Sequence, residues 1–156
     1  MIDARLAAFI EGPVMIILSV ADRMNRPTIA RAVGARFDAQ AGSISILVSR
    51  RQWPSLAEAV APDALVAATF CRAQDYTTYQ IKGRVLRLDE PGAAEHDLAA
   101  RYVGITSQIL GGLGVGQDLI DQWVSADDII RLDFAPATVF VQTPGPDAGQ
   151  ALGALR

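Results

Sequence analysis

The spacing of apolar and polar positions predicts a leading helix, three consecutive strands, and a second half that mixes strands with helices. Leu6, Phe9 and Ile10 fall at helical spacing behind Asp3, a residue suited to cap a helix, and Gly12-Pro13 stops the run. Residues 14–20 carry almost no polar position, which predicts a strand buried on both sides. A polar turn over 22–27 leads to a second strand over 28–37. Strict alternation there puts Ile29, Arg31, Val33, Ala35 and Phe37 on one face and Ala30, Ala32 and Gly34 on the other. Ala41-Gly42 turns the chain into a third strand, 43–48, with Ile44, Ile46 and Val48 aligned. Short turns between successive strands predict an antiparallel meander.

In the second half, Pro54 suits the first turn of a short helix over 53–60, which Pro62 stops. Strands are predicted over 64–70 and 76–88, with Gly83 marking a bulge or a close backbone approach. Leu98, Tyr102, Ile105 and Ile109 form one stripe of the main helix, 95–110. A glycine-rich run over 111–116 ends that helix, and a short helical piece follows near Leu119, Ile120 and Trp123. The last strand, 129–141, contains Pro136, which predicts an edge position or an irregularity. Together these elements predict a mainly β, α+β domain: a six-stranded antiparallel barrel with flanking helices. Residues 1–143 form that single domain, and the Pro- and Gly-rich stretch 144–156 is expected to be a mobile C-terminal tail.

Composition narrows the chemistry. At 156 residues and 51% hydrophobic, the chain can build one substantial core and is not generally disordered. A net charge of −3 excludes a nucleic-acid binder, which needs a basic surface, but allows one phosphorylated small molecule. Cys71 and His96 are each alone, so an internal disulfide, a Cys/His metal cluster or a Ser-His-Asp triad is not expected. Asp127-Asp128 reads as a solvated turn rather than an ion site. No secretory pattern opens the chain, and the longest apolar run falls short of the ~20 residues of a membrane helix. A soluble cytoplasmic protein with no membrane partner is expected.

The junction Ser49-Arg50-Arg51-Gln52 carries the most information. A hydroxyl and two guanidiniums leave a rigid strand just before a helix starts, and arginine binds phosphate oxygens in bidentate fashion. The same pair also fits a solvated basic loop. Arg31 lies in a strand of small and apolar residues, where a guanidinium requires an anionic or polar partner. A salt bridge at a sheet edge would serve as well as a ligand. Gly111 to Gly116 has G-x-G spacing but follows a helix, so it is read as a helix stop. Tyr76, Tyr79 and Trp123 are aromatic enough to stack on a ring, although core or interface packing accounts for them too.

The order of these parts resembles the pyridoxamine 5'-phosphate oxidase-like family of FMN-binding split barrels, over about residues 4–142. The strand ending in Ser49-Arg50-Arg51, the Leu56/Val60 helix and the segment Tyr79-Gln80-Ile81-Lys82-Gly83-Arg84-Val85 carry the resemblance. It implies a homodimer with FMN at the subunit interface and a small-molecule substrate. It further implies that Ser49, Arg50, Arg51 and Gln52 hold the phosphate. Arg31, Ala32, Val33 and Gly34 would lie around the flavin, with Thr78 and Gln80 reaching it from the fifth strand. Residues 133–141 lack the tryptophan-containing stretch and the arginine by which true pyridoxamine phosphate oxidases resemble one another, so oxidation of that substrate is not implied. The expectation is an FMN-dependent oxidoreductase, with a non-catalytic flavin- or haem-binding carrier or sensor as the alternative.

Overall fold

The computed structural model describes residues 2–154. In chain order the elements are α1 (Ala4–Ile10), β1 (Met15–Ala21), β2 (Pro27–Asp38), β3 (Ser43–Ser49), α2 (Pro54–Ala59), β4 (Leu65–Cys71), β5 (Thr78–Asp89), α3 (Ala93–Gly112), α4 (Gln117–Trp123), β6 (Ile129–Val141) and β7 (Ala151–Ala154). The strands run β3-β2-β1-β4-β5-β6-β7, and the first half of β6 also pairs with β3. That pairing closes a six-stranded antiparallel barrel, so the fold is an α+β split barrel. Closure leaves no free edge between β3 and β6, while the second half of β6 takes on β7 instead.

The interior is filled by alternate residues of each strand. Ile16, Leu18 and Val20 of β1 meet Ala30 and Ala32 of β2, Val66, Ala68 and Phe70 of β4, and Leu132 and Phe134 of β6, all nearly inaccessible to water. α1 caps one end of the barrel, its first turn held by Asp3 Oδ1 accepting the Leu6 N–H at 2.8 Å. α3 lies across the outside of β2, where the Tyr102 hydroxyl donates to the Val14 carbonyl at 2.7 Å.

Four features depart from the pattern read along the chain. In β2, the pairs Ala32–Val48 and Ala35–Ile46 enclose two residues on one strand and one on the other, a β-bulge at Val33-Gly34. The bulge reverses the alternation, so Arg31 faces outward while Ala35 and Phe37 register with the inward Ile46 and Ile44. Gly34 takes φ +152°, a conformation L side chains rarely adopt, and a Cβ there would press on Leu98 of α3. β1 is not buried on both sides: Ile17 is 40% exposed on the outer face. The buried stripe of α3 is Ala99, Tyr102, Thr106 and Leu110, rotated from the expected one, and Ile105 is exposed. Residues 151–154, in the stretch expected to be a mobile tail, pair with β6; residues 155 and 156 lie outside the described residues. The irregularity expected at Gly83 and Pro136 is present. They oppose each other at a register shift between β5 and β6, and a Cβ on Gly83 would collide with the Ala135 carbonyl oxygen.

Candidate functional site on the outer barrel face

The barrel register brings the separate candidates of the sequence onto one row. Ile17 pairs with Arg31 on one side and Thr69 on the other, and Thr69 pairs with Gln80. One step beyond the Ala32–Val48 pair, Arg31 and Ser49 stand at matching positions of β2 and β3. Ser49, Arg31, Ile17, Thr69 and Gln80 therefore cross five adjacent strands, about 19 Å at ~4.8 Å per strand. Gln80 is fixed by donating its Nε2 to Thr69 Oγ1 at 3.1 Å. The row beside it is mostly apolar or small, Ile29 (62% exposed), Ser19 and Ala67, and ends in the exposed Lys82 opposite Ala67.

Arg31 has no carboxylate partner among the described residues. Its guanidinium packs over the Trp123 ring of α4, 4.8 Å from the centroid, a cation–π contact. The same end of α4 is held by Gln52, whose Nε2 donates to the carbonyls of Gln122 (2.8 Å) and Asp121 (3.4 Å). α4 thus joins Arg31 to the Ser49–Gln52 junction. Two polar atoms there are buried without a hydrogen-bond partner, Gln52 Oε1 and Trp53 Nε1.

The junction itself is heavily paired. Ser49 is 1% exposed; its hydroxyl donates to the Asp127 carbonyl at 2.7 Å and accepts the Gln52 N–H at 3.2 Å. Arg50 forms salt bridges with Asp128 at 2.8 Å and Glu90 at 2.9 Å, and these partners raise its pKa further while that of Asp128 falls. Arg51 stands apart: its side chain is 75% exposed, with Asp127 at 3.9 Å. Arg50 holds the two close carboxylates, so Arg51 is the cation of the pair with most freedom to meet an anion.

The other candidates are spread more widely. Ala32 points into the barrel, and Val33 and Gly34 are buried, with Leu98 of α3 against Gly34. Thr78 donates its hydroxyl to the Tyr76 carbonyl at 2.8 Å, and its N–H to Thr143 Oγ1 at 2.9 Å. Asp127, Asp128 and Glu90 were not among the candidates. Nothing local in the sequence links them to the Ser49–Arg51 junction; the closure of β6 onto β3, with Ile129 opposite Ser49, is what delivers the two aspartates.

Comparison with known proteins returns the fold. No family model matches the sequence, and no curated protein matches it. Among solved structures, an F420 reductase is similar at 15% identity over 85% of this chain and 93% of that one, with a TM-score of 0.53. HupZ of Group A Streptococcus is similar at 13% identity over 96% of this chain and all of that one, with a TM-score of 0.54. A pyridoxamine 5'-phosphate oxidase-related, FMN-binding protein of Nostoc punctiforme PCC 73102 is more distant, at 11% identity over 92% of this chain and 87% of that one, with a TM-score of 0.45. At such identities the likeness extends to the split-barrel fold. No helix among the described residues is long and apolar enough to cross a membrane.

Proposed function

We propose that this protein binds a flavin-type cofactor, FMN, on the outer face of β2-β1-β4-β5, where a second copy of the chain covers it. The observation that carries this reading is Arg31, a cation with no carboxylate partner among the described residues, set in an exposed apolar sheet face on one row with Gln80. A flat ring suits such a face, and the lone guanidinium supplies charge for an anionic group. Arg31 and Arg51 are the cations for the phosphate. Ser49, Arg50 and Gln52 hold the loop and α4 around them, and Gln52 Oε1 offers an unused acceptor. Gln80 and Thr78 border the ring, and Ala32, Val33 and Gly34 shape the strand beneath. The exposed Ile17 and Ile29 support the homodimer: a face this apolar belongs under a partner.

Bound FMN supplies hydride and single-electron chemistry, and the chain supplies orientation and exclusion of water. The reading is an FMN-dependent oxidoreductase acting on a small molecule in the cytoplasm. Titration of the protein into FMN, followed by quenching of flavin fluorescence, tests it. Arg31→Ala is expected to weaken binding at least about tenfold, the loss of one charge-assisted contact. Arg36→Ala, on the far side of the bulge, is expected to leave it unchanged. Equal affinity of wild type and Arg31→Ala would refute the site. Reduction of the bound flavin by NADH or NADPH with onward electron transfer separates an enzyme from a carrier.

A further inference from the structure

We infer that a cleft of about 570 Å³ between α1, the β4–β5 turn and β7 is a second ligand site, built for a flat aromatic carboxylate. Its size is that of a small-molecule site. It lies near Val139, ten residues along β6 from Ile129 and the Ser49 junction, about 30 Å at ~3.3 Å per residue. It is therefore distinct from the junction, and Tyr79, in register with the inward Phe70, lies on the opposite face of β5 from Gln80 of the outer row.

Its floor is aromatic. Phe9 of α1 and Tyr79 of β5 meet edge to face, ring centroids 5.1 Å apart, and Leu152 of β7 faces them across the cleft. Such a floor favours another ring. The wall is preformed. Arg72 donates Nε and Nη2 to Asp75 at 3.0 and 2.7 Å, and its guanidinium packs over Phe9 at 5.4 Å. The turn behind it is locked by the Thr77 N–H donating to Asp75 Oδ1 at 3.0 Å, with Tyr76 in the left-handed region at φ 58°.

The charges select the ligand. Arg72 is neutralised by Asp75. Asp3, also at the cleft, keeps its charge, but its carboxylate is turned onto the N-terminus of α1, where Oδ1 accepts the Leu6 N–H. Arg5 alone has neither an ion pair nor a side-chain hydrogen bond among the described residues, so one guanidinium lining the cleft is left without a carboxylate partner. A ring bearing a single negative charge matches that arrangement.

The test uses the full-length protein with 1-naphthoate as probe, 1-naphthalenemethanol as the uncharged comparison, and Tyr79 side-chain NMR shifts as readout. Saturable naphthoate binding is expected, with the alcohol about tenfold weaker and Arg5→Ala about tenfold weaker. Arg31→Ala is expected to leave naphthoate affinity unchanged, which keeps this result separate from the flavin face. Arg5 is exposed on α1, so its removal leaves the fold intact. No saturation up to about 10 mM probe, equal affinity for acid and alcohol, or loss of binding on Arg31→Ala instead of Arg5→Ala would each overturn the proposal.

Discussion

Replacing Gly83 by alanine asks one methyl group to occupy space already filled by backbone. A Cβ at that position would collide with the Ala135 carbonyl oxygen and sit 3.0 Å from the Phe134 ring. Neither neighbour yields cheaply. Ala135 is paired in the β5–β6 ladder opposite Arg84, and Phe134 is wholly buried in the barrel. Relief requires the strands to separate at the register shift, an overpacking cost of about 2–3 kcal/mol. For a domain of this size that corresponds to a fall in Tm of about 4–12 °C. Gly104→Ala is the matched control: this glycine lies in α3 with nothing near its Cβ position and no positive φ. Alanine there is expected to stabilise by about 0.5–1 kcal/mol, because glycine loses more backbone entropy in a helix. Thermal unfolding followed by far-ultraviolet circular dichroism measures both. A Gly83→Ala protein that melts with the wild type would show that the two strands do not approach as described, and the β5–β6 register at Gly83 and Pro136 would fall.

Burial pushes the Tyr102 hydroxyl up to about 12, from an ordinary value near 10. The unfolded chain loses that proton first, so stability should fall by about 2–3 kcal/mol as pH rises from 10 to about 12, and Tyr102→Phe should flatten this slope in urea titrations. A slope identical in both proteins would rule out Tyr102 as its source. Ser49→Ala should cost about 1–2 kcal/mol, because its buried hydroxyl both donates to Asp127 and accepts from Gln52; unchanged unfolding in urea would contradict that role. Light scattering at micromolar concentration should give twice the mass of the chain, and Ile29→Asp should halve it. A wild type that scatters as one chain would count against both the dimer and a covered flavin.

Most of the barrel was legible because strand spacing is a local signal. Gly83 and Pro136 announced an irregularity where one occurs, since each restricts the backbone by itself. The face of Arg31 was legible only in part: alternation grouped it with Ala35 and Phe37, and the bulge at Val33-Gly34 separates them. A bulge depends on how two strands pair, which one strand does not encode. The apolar run of β1 implied cover on both sides, whereas Ile17 is exposed in the single chain. That discrepancy is what a second subunit would resolve. Asp127 and Asp128 form the exposed turn that was expected, but their partners, Ser49, Arg50 and Arg51, lie 78 residues and fewer away and meet them only through barrel closure. β7 escaped notice because its four residues follow a Pro- and Gly-rich stretch and form only by pairing with β6.

In the Ser49–Arg51 junction, which the sequence marked most strongly, Arg50 is held by its own carboxylates, and the proposed cofactor site rests on Arg31 and the outer face. The absorption spectrum of the freshly purified protein tests that reading most directly. Visible flavin bands, shifted from those of free FMN and retained through gel filtration, are the predicted result. A colourless protein that also fails to take up added FMN would contradict it.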